Sequence, residues 1–153
     1  MTIDQRLAEL GITLPVAAAP VAAYVPTVEV GGLLHVSGQI SFAEDGSLIK
    51  GRLGDDVDLD AGMAAARRCG IMLLAQIKAA LGSLDRVDRI VKLGVFVNST
   101  AEFTEHPKVA NGASELMVEV FGEAGKHARA AVGVAALPLG VAVEVDAVVA
   151  IKA

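Results

Sequence analysis

Residues 127–150 read HARAAVGVAALPLGVAVEVDAVVA, and the folding of this stretch decides the architecture. Two apolar runs, 128–135 and 141–151, read as strands divided by Leu137-Pro138-Leu139-Gly140. Between Arg129 and Glu144 no other side chain is charged. An unpaired charge held out of water is costly, so Arg129 must face a partner, solvent or a ligand.

Strand side chains alternate between faces. Arg129 therefore shares a face with Ala131, Gly133 and Ala135, and Ala130, Val132 and Val134 take the other. On the last strand the odd-numbered residues from Val141 to Ile151 form an apolar face, opposite Glu144 and Asp146. A third strand, Arg89–Asn98, sets Val91, Leu93, Val95 and Val97 against Ile90, Lys92, Gly94 and Phe96. Each strand thus has a purely apolar face suited to a covering helix and a mixed face. The expectation is that Arg129 lies on the mixed face, away from the helices. Three mixed faces on one sheet suggest a surface packed against another copy.

The remaining elements follow from caps and breakers. Thr2 and Gln5 have capping-box spacing, Ile3, Leu7 and Leu10 share a helix face, and Gly11 ends it. Residues 12–23, with two prolines and several alanines, read as an extended arm. Gly31-Gly32 between Thr27–Val30 and Leu33–Gly38 marks a hairpin. Glu44-Asp45-Gly46 marks a turn, and Gly51–Asp58 is irregular. The spacing of Met63, Ala66, Gly70, Leu73, Leu74, Ile77 and Leu81 predicts a helix over 60–81, capped by Asp58 or Asp60 and closed by Gly82. A further helix starts near Pro107 and runs to about Phe121. The order is that of an α+β sheet with helices on one face, in a single domain spanning 1–153.

Composition narrows the function. Hydrophobic residues make up 54% of the 153 and charged residues 20%, which is ample for a core. The net charge is −5 and aromatics are 3%, so neither a basic stripe nor stacking rings are at hand for nucleic acid. No stretch approaches the length of a membrane span, and the N-terminal segment has no signal pattern, so a cytoplasmic protein is expected. The single Cys69 rules out an internal disulfide and reads as a buried small residue. His35, His106 and His127 lack metal-ligand spacing, Ser37 lacks a nucleophile's His/Asp pattern, and no GxGxxG opens a helix. Arg129 could simply pair with Glu144 or Asp146 across the sheet. His127, two residues before it, could add a polar contact on the same face.

The string His127–Ala150, together with Val36-Ser37-Gly38-Gln39-Ile40 and Val91–Val97, resembles the RidA family, also called YjgF or L-PSP endoribonuclease-like. The match covers roughly residues 24–153 and leaves the N-terminal helix and arm (1–23) outside, as in a longer subgroup. The resemblance implies a chorismate-mutase-like fold and a homotrimer with a cleft at each subunit interface. It implies hydrolysis of reactive enamines and imines such as 2-aminoacrylate, with no metal or organic cofactor. Residue by residue, it makes Arg129 the grip on the substrate carboxylate and Glu144 the contact to the attacking water. Gly38 becomes a close backbone approach to the ligand, Tyr24 and Ser37 cleft residues, and Ala131 the counterpart of a cysteine found in many relatives. Ala136 stands where many relatives have Arg, and the segment between Asn111 and Arg129 is longer by about one residue, near Gly122–His127. A non-catalytic trimer binding a small carboxylic acid is the alternative reading, and RNA cleavage a more distant one.

Overall fold

The computed structural model describes residues 1–17, 19 and 23–153. Helix α1, Ile3–Glu9, carries the expected box: Gln5 N–H donates to Thr2 Oγ1 and Thr2 N–H to Gln5 Oε1, at 3.1 and 2.8 Å. Residues 12–17 of the expected arm lack regular structure, and 18 and 20–22 lie outside the described residues. The hairpin pairs β1, Thr27–Val30, with β2, Leu33–Ile40. Gly31 and Gly32 turn it at φ 59° and 77°, both in the left-handed region that a two-residue hairpin loop demands.

Helix α2 spans Leu59–Leu81, with Asp58 Oδ1 accepting from Ala61 N–H and Gly82 closing it at φ 81°. Its stretch from Cys69 to Ile77 is buried on every side, which is wider than the stripe read from spacing. Strand β3 is Val87–Asn98, helix α3 His106–Phe121, strand β4 Ala128–Val134 and strand β5 Val143–Ile151. Val141 and Ala142, expected in the last strand, precede it. The sheet order is β1-β2-β5-β3-β4. Pairing is antiparallel except between β3 and β4, which run parallel with α3 as the crossover.

Leu34, Val36, Leu93, Val95, Val97, Val143, Val145 and Val149 bury one sheet face under α2 and α3. The same core takes in Leu7 of α1. Arg6 fixes that helix further, donating from Nε to the Glu119 carbonyl oxygen of α3 at 2.8 Å. Among the described residues no helix covers the opposite sheet face, and Val30 and Val132 are 61% and 46% exposed there. Among the described residues no helix is long and apolar enough to cross a membrane.

One expectation is corrected. The register sets Arg129 beside Leu93, Ala131 beside Val95 and Gly133 beside Val97. Arg129 therefore lies on the helix-covered side, and the more apolar Ala130, Val132 and Val134 face the open side. The small residues of β4 mark a close approach rather than an open surface. A Cβ at Gly133 would stand 2.5 Å from both His106 Nε2 and Ser99 Oγ.

Candidate functional site

The structure divides the residues read from sequence between two places. The first is a groove of about 510 Å³ between α3 and the start of β4, lined by Ser114, Glu115, Val118, Glu119, Lys126, His127 and Arg129. β4 is an edge strand, so Arg129 at its start is only half-buried and reaches α3. Its Nη1 donates to Asn111 Oδ1 at 2.8 Å and to Ser114 Oγ at 3.1 Å. Among the described residues nothing accepts from Nε or Nη2. That edge of the guanidinium carries parallel N–H groups suited to the two oxygens of a carboxylate. The cross-sheet pairing of Arg129 with Glu144 or Asp146, open from sequence, does not occur.

His127 sits just before β4 in the same groove. Its Nε2 is 2.9 Å from Ser114 Oγ and its Nδ1 2.6 Å from the Gly125 carbonyl oxygen. Burial holds its pKa below the ordinary histidine value, and the nearby Arg129 charge acts in the same direction against the Gly125 bond. Ala131 packs against the core and does not line the groove, so its expected place at the ligand is not seen in the isolated chain.

The second place is a cleft lined by Ala19, Tyr24, Pro26, Gly38, Gln39, Ile40, Phe42, Gln76, Pro138, Leu139 and Glu144, about 400 Å³ in volume. Glu144 projects from β5 against Gly38 of β2, and a Cβ at Gly38 would stand 2.6 Å from Glu144 Oε2. Here the absence of a side chain is what lets the carboxylate lie against the strand. Burial raises the Glu144 pKa above the ordinary carboxylate range, and Asp146, two residues along the same face, raises it further. Tyr24 is 55% exposed at the mouth. Leu139 enters at φ 58°, a strained value for a leucine, in the Leu-Pro segment beside the cleft. Ser37 does not line this cleft. Its Oγ donates to the Val25 carbonyl oxygen at 2.8 Å, and its N–H to that of Pro26 at 2.9 Å, anchoring the segment that carries Tyr24.

The two places do not meet within one chain. Arg129 is opposite Leu93, and Leu93 is opposite Ala147. Glu144 is thus two strands across, three residues along and on the other face, about 14 Å away for a strand spacing of ~4.8 Å and a rise of ~3.3 Å per residue. Each half has a distinct capacity: a guanidinium edge for an anion, and a carboxylate whose raised pKa makes it a stronger base than an ordinary one.

Sequence reading missed Asn111 and Ser114, which hold the arginine. Their signal was present: two polar residues at i and i+3 on a helix otherwise small and apolar there, hence on one face. It also missed Gln39 and Gln76, buried residues on the cleft wall whose amides approach at 3.4 Å. Cys69 is fully buried, and its thiol pKa is raised by burial, in line with its reading as a core residue. Among the described residues no three of His, Cys, Asp and Glu converge as metal ligands.

The model of the YjgF/chorismate-mutase-like family, whose description also carries the endoribonuclease name, matches residues 4–149. Protein TCP17 of Trypanosoma cruzi is 56% identical over 148 residues, 96% of this chain and 92% of that protein. A solved structure from Agrobacterium tumefaciens superposes with a TM-score of 0.91 at 49% identity, covering 98% of this chain and 92% of the other. A Dermatophagoides farinae protein named 2-iminobutanoate/2-iminopropanoate deaminase is 27% identical, over 92% of this chain and 95% of its own. With the family model spanning nearly all of it, the five-stranded sheet and the helices on one face, this chain belongs to the RidA/YjgF family.

Proposed function

We propose that this protein hydrolyses small carboxylate-bearing imines and enamines, of the 2-aminoacrylate kind, to a 2-oxo acid and ammonia. The observation that carries the reading is the Arg129 guanidinium on the groove wall, held through Nη1 and, among the described residues, without a carboxylate partner. The name of the D. farinae relative, a 2-iminobutanoate/2-iminopropanoate deaminase, supports the same substrate class.

The reading requires a second copy, which a homotrimer supplies. Arg129 and Glu144 stand on opposite faces of one sheet, so a ligand touching both must lie between two copies. β4 offers an unpaired edge, and the face beyond it exposes Val30 and Val132. In each interface cleft, Arg129 and His127 of one copy would meet Glu144, Gly38 and Tyr24 of the next, with Ser37 and Ala131 shaping the backbone around them.

The chemistry asks for positioning more than for strong catalysis. An enamine first tautomerises to the imine. Arg129 binds the carboxylate by two parallel hydrogen bonds and so fixes the neighbouring imine carbon. Water adds to that carbon, forming a C–O bond, while Glu144 accepts its proton and the nitrogen takes one up. The C–N bond of the resulting carbinolamine then breaks, with its electron pair leaving on nitrogen. The hydroxyl proton passes by way of Glu144 to the departing nitrogen, giving the 2-oxo acid and ammonia. One water is consumed and nothing is oxidised or reduced. A carboxylate with a raised pKa is the stronger base for the first step.

The test generates imines in place with an amino-acid oxidase acting on alanine or 2-aminobutyrate, and follows their disappearance. Acceleration by the wild type, lost in Arg129→Ala, is expected. Light scattering should give three times the 15.6 kDa chain mass. No acceleration, with pyruvate still bound at Arg129, would leave a carboxylate-binding trimer. RNA cleavage that survives repurification and disappears in Arg129→Ala would favour the endoribonuclease reading.

A further inference from the structure

Every proton around Arg129 is assigned by the groups it meets. A carbonyl oxygen only accepts, so the 2.6 Å contact to Gly125 places a hydrogen on His127 Nδ1. Burial beside Arg129 favours the neutral ring, so His127 Nε2 is an acceptor. Ser114 must then donate its hydroxyl hydrogen to Nε2 at 2.9 Å, which turns its lone pairs to Arg129 Nη1 at 3.1 Å. Asn111 Oδ1 accepts the second Nη1 hydrogen at 2.8 Å. Both hydrogens of Nη1 are thereby taken, which fixes the guanidinium plane and leaves the Nε/Nη2 edge for a ligand.

The segment between α3 and β4 supplies the far end of this chain of bonds. Gly122–Gly125 forms a single 3-10 turn after α3. It packs so tightly that a Cβ at Gly125 would run into the Met117 carbonyl oxygen. The Gly125 carbonyl is thus fixed against α3, and it fixes His127 in turn.

We propose that Ser114 and His127 are positioning residues for Arg129. They form a one-directional relay, from Arg129 Nη1–H to Ser114 Oγ–H to His127 Nε2, anchored by His127 Nδ1–H on Gly125, which presents the guanidinium edge to the substrate carboxylate. The proposal rests on the reading of Arg129 as a carboxylate grip, and not on turnover. The charged groups around the relay are Glu115 and Glu119 of α3, and Lys126 and Arg129 on the β4 side.

Three measurements test it, on the full-length protein with pyruvate as the binding probe and the in-place imine as the substrate. First, ¹⁵N NMR of the imidazole at pH 7.5 should show a neutral His127 with its proton on Nδ1; a proton on Nε2 overturns the relay. Second, Ser114→Ala should weaken pyruvate binding and raise KM about tenfold, with a smaller change in kcat, and Ser114→Thr should restore both to within about threefold. Third, in an Arg129→Lys background, which has no Nη1 to orient, Ser114→Ala should have no further effect on pyruvate binding. An equal loss in both backgrounds would show a merely structural serine and overturn the proposal. His127→Gln, which can accept from Ser114, should bind pyruvate more tightly than His127→Phe; equal affinities count against it. The two readings fail separately. Wild type without turnover, but with pyruvate binding that depends on Ser114 through Arg129, keeps the relay and removes the deaminase. Turnover and binding unchanged in Ser114→Ala do the reverse.

Discussion

The Glu144 side chain lies so close against Gly38 that a Cβ on the glycine would stand 2.6 Å from the glutamate's Oε2. The contact is to the end of a flexible side chain, so substitution displaces the carboxylate and spares the fold. Gly38→Ala is therefore expected to lower kcat for imine hydrolysis by about 10- to 100-fold, as misplaced catalytic groups do, with a Tm change of no more than about 2 °C. A large Tm loss, or unchanged kcat, would count against this role for the glycine.

Arg129→Lys separates charge from geometry. Lysine keeps the cation and loses the planar fork. With one charge-assisted hydrogen bond valued at ~1.5–3 kcal/mol, the loss of the paired contact should reduce kcat/KM by roughly 10- to 100-fold. Arg129→Ala should lose at least as much. Equal activity of Arg129→Lys and the wild type, by the imine assay, would remove the bidentate grip.

Glu144 gives a prediction with a definite sign. Its folded-state pKa lies above its unfolded value because burial and Asp146 penalise the charged form. The folded chain thus holds that proton more tightly, and the associated stability is present at low pH and lost as pH rises through the raised pKa. Glu144→Gln should have a higher Tm than wild type near pH 8 and an equal one near pH 4. The same titration should place the acidic limb of kcat above the ordinary carboxylate range. A Tm difference that grows toward acid would contradict this.

The helix pair offers a stability test away from the site. A Cβ at Gly112 of α3 would run into the Met63 carbonyl oxygen of α2, which is backbone and cannot swing aside. Overpacking of this kind costs about 1–3 kcal/mol, so Gly112→Ala should lower Tm by roughly 3–10 °C by calorimetry. An unchanged Tm would show that the helices separate freely.

Local signals were legible wherever one residue type has one backbone use. Thr2 and Gln5, Gly31-Gly32, Asp58 and Gly82 each marked an end or a turn that the structure contains. The RidA-like fold was legible from the strand–Leu-Pro–strand ending and the Ser-Gly-Gln-Ile segment. The face of β4 was not. Alternation divides its residues correctly, but hydropathy then favours turning Val132 inward, and Val132 faces out. What decides the face is the approach of His106 and Ser99 to Gly133, a contact between segments far apart in sequence. The partners of Arg129 were hidden for a related reason. Asn111 and Ser114 gain meaning only when the crossover brings α3 over the start of β4.

That crossover links the two halves of the site to different stages of folding. Arg129 and the residues that hold it lie within 18 positions of one another, on α3 and the strand it leads into. Gly38 and Glu144 come from opposite ends of the chain and meet only when β2 closes on β5. Loop closure is entropically cheaper over the shorter span. The arginine pocket can therefore form early and survive partial opening, while the glutamate cleft depends on the last and longest-range pairing. Hydrogen exchange should accordingly divide the site, with the amides of β2 opening before those of α3.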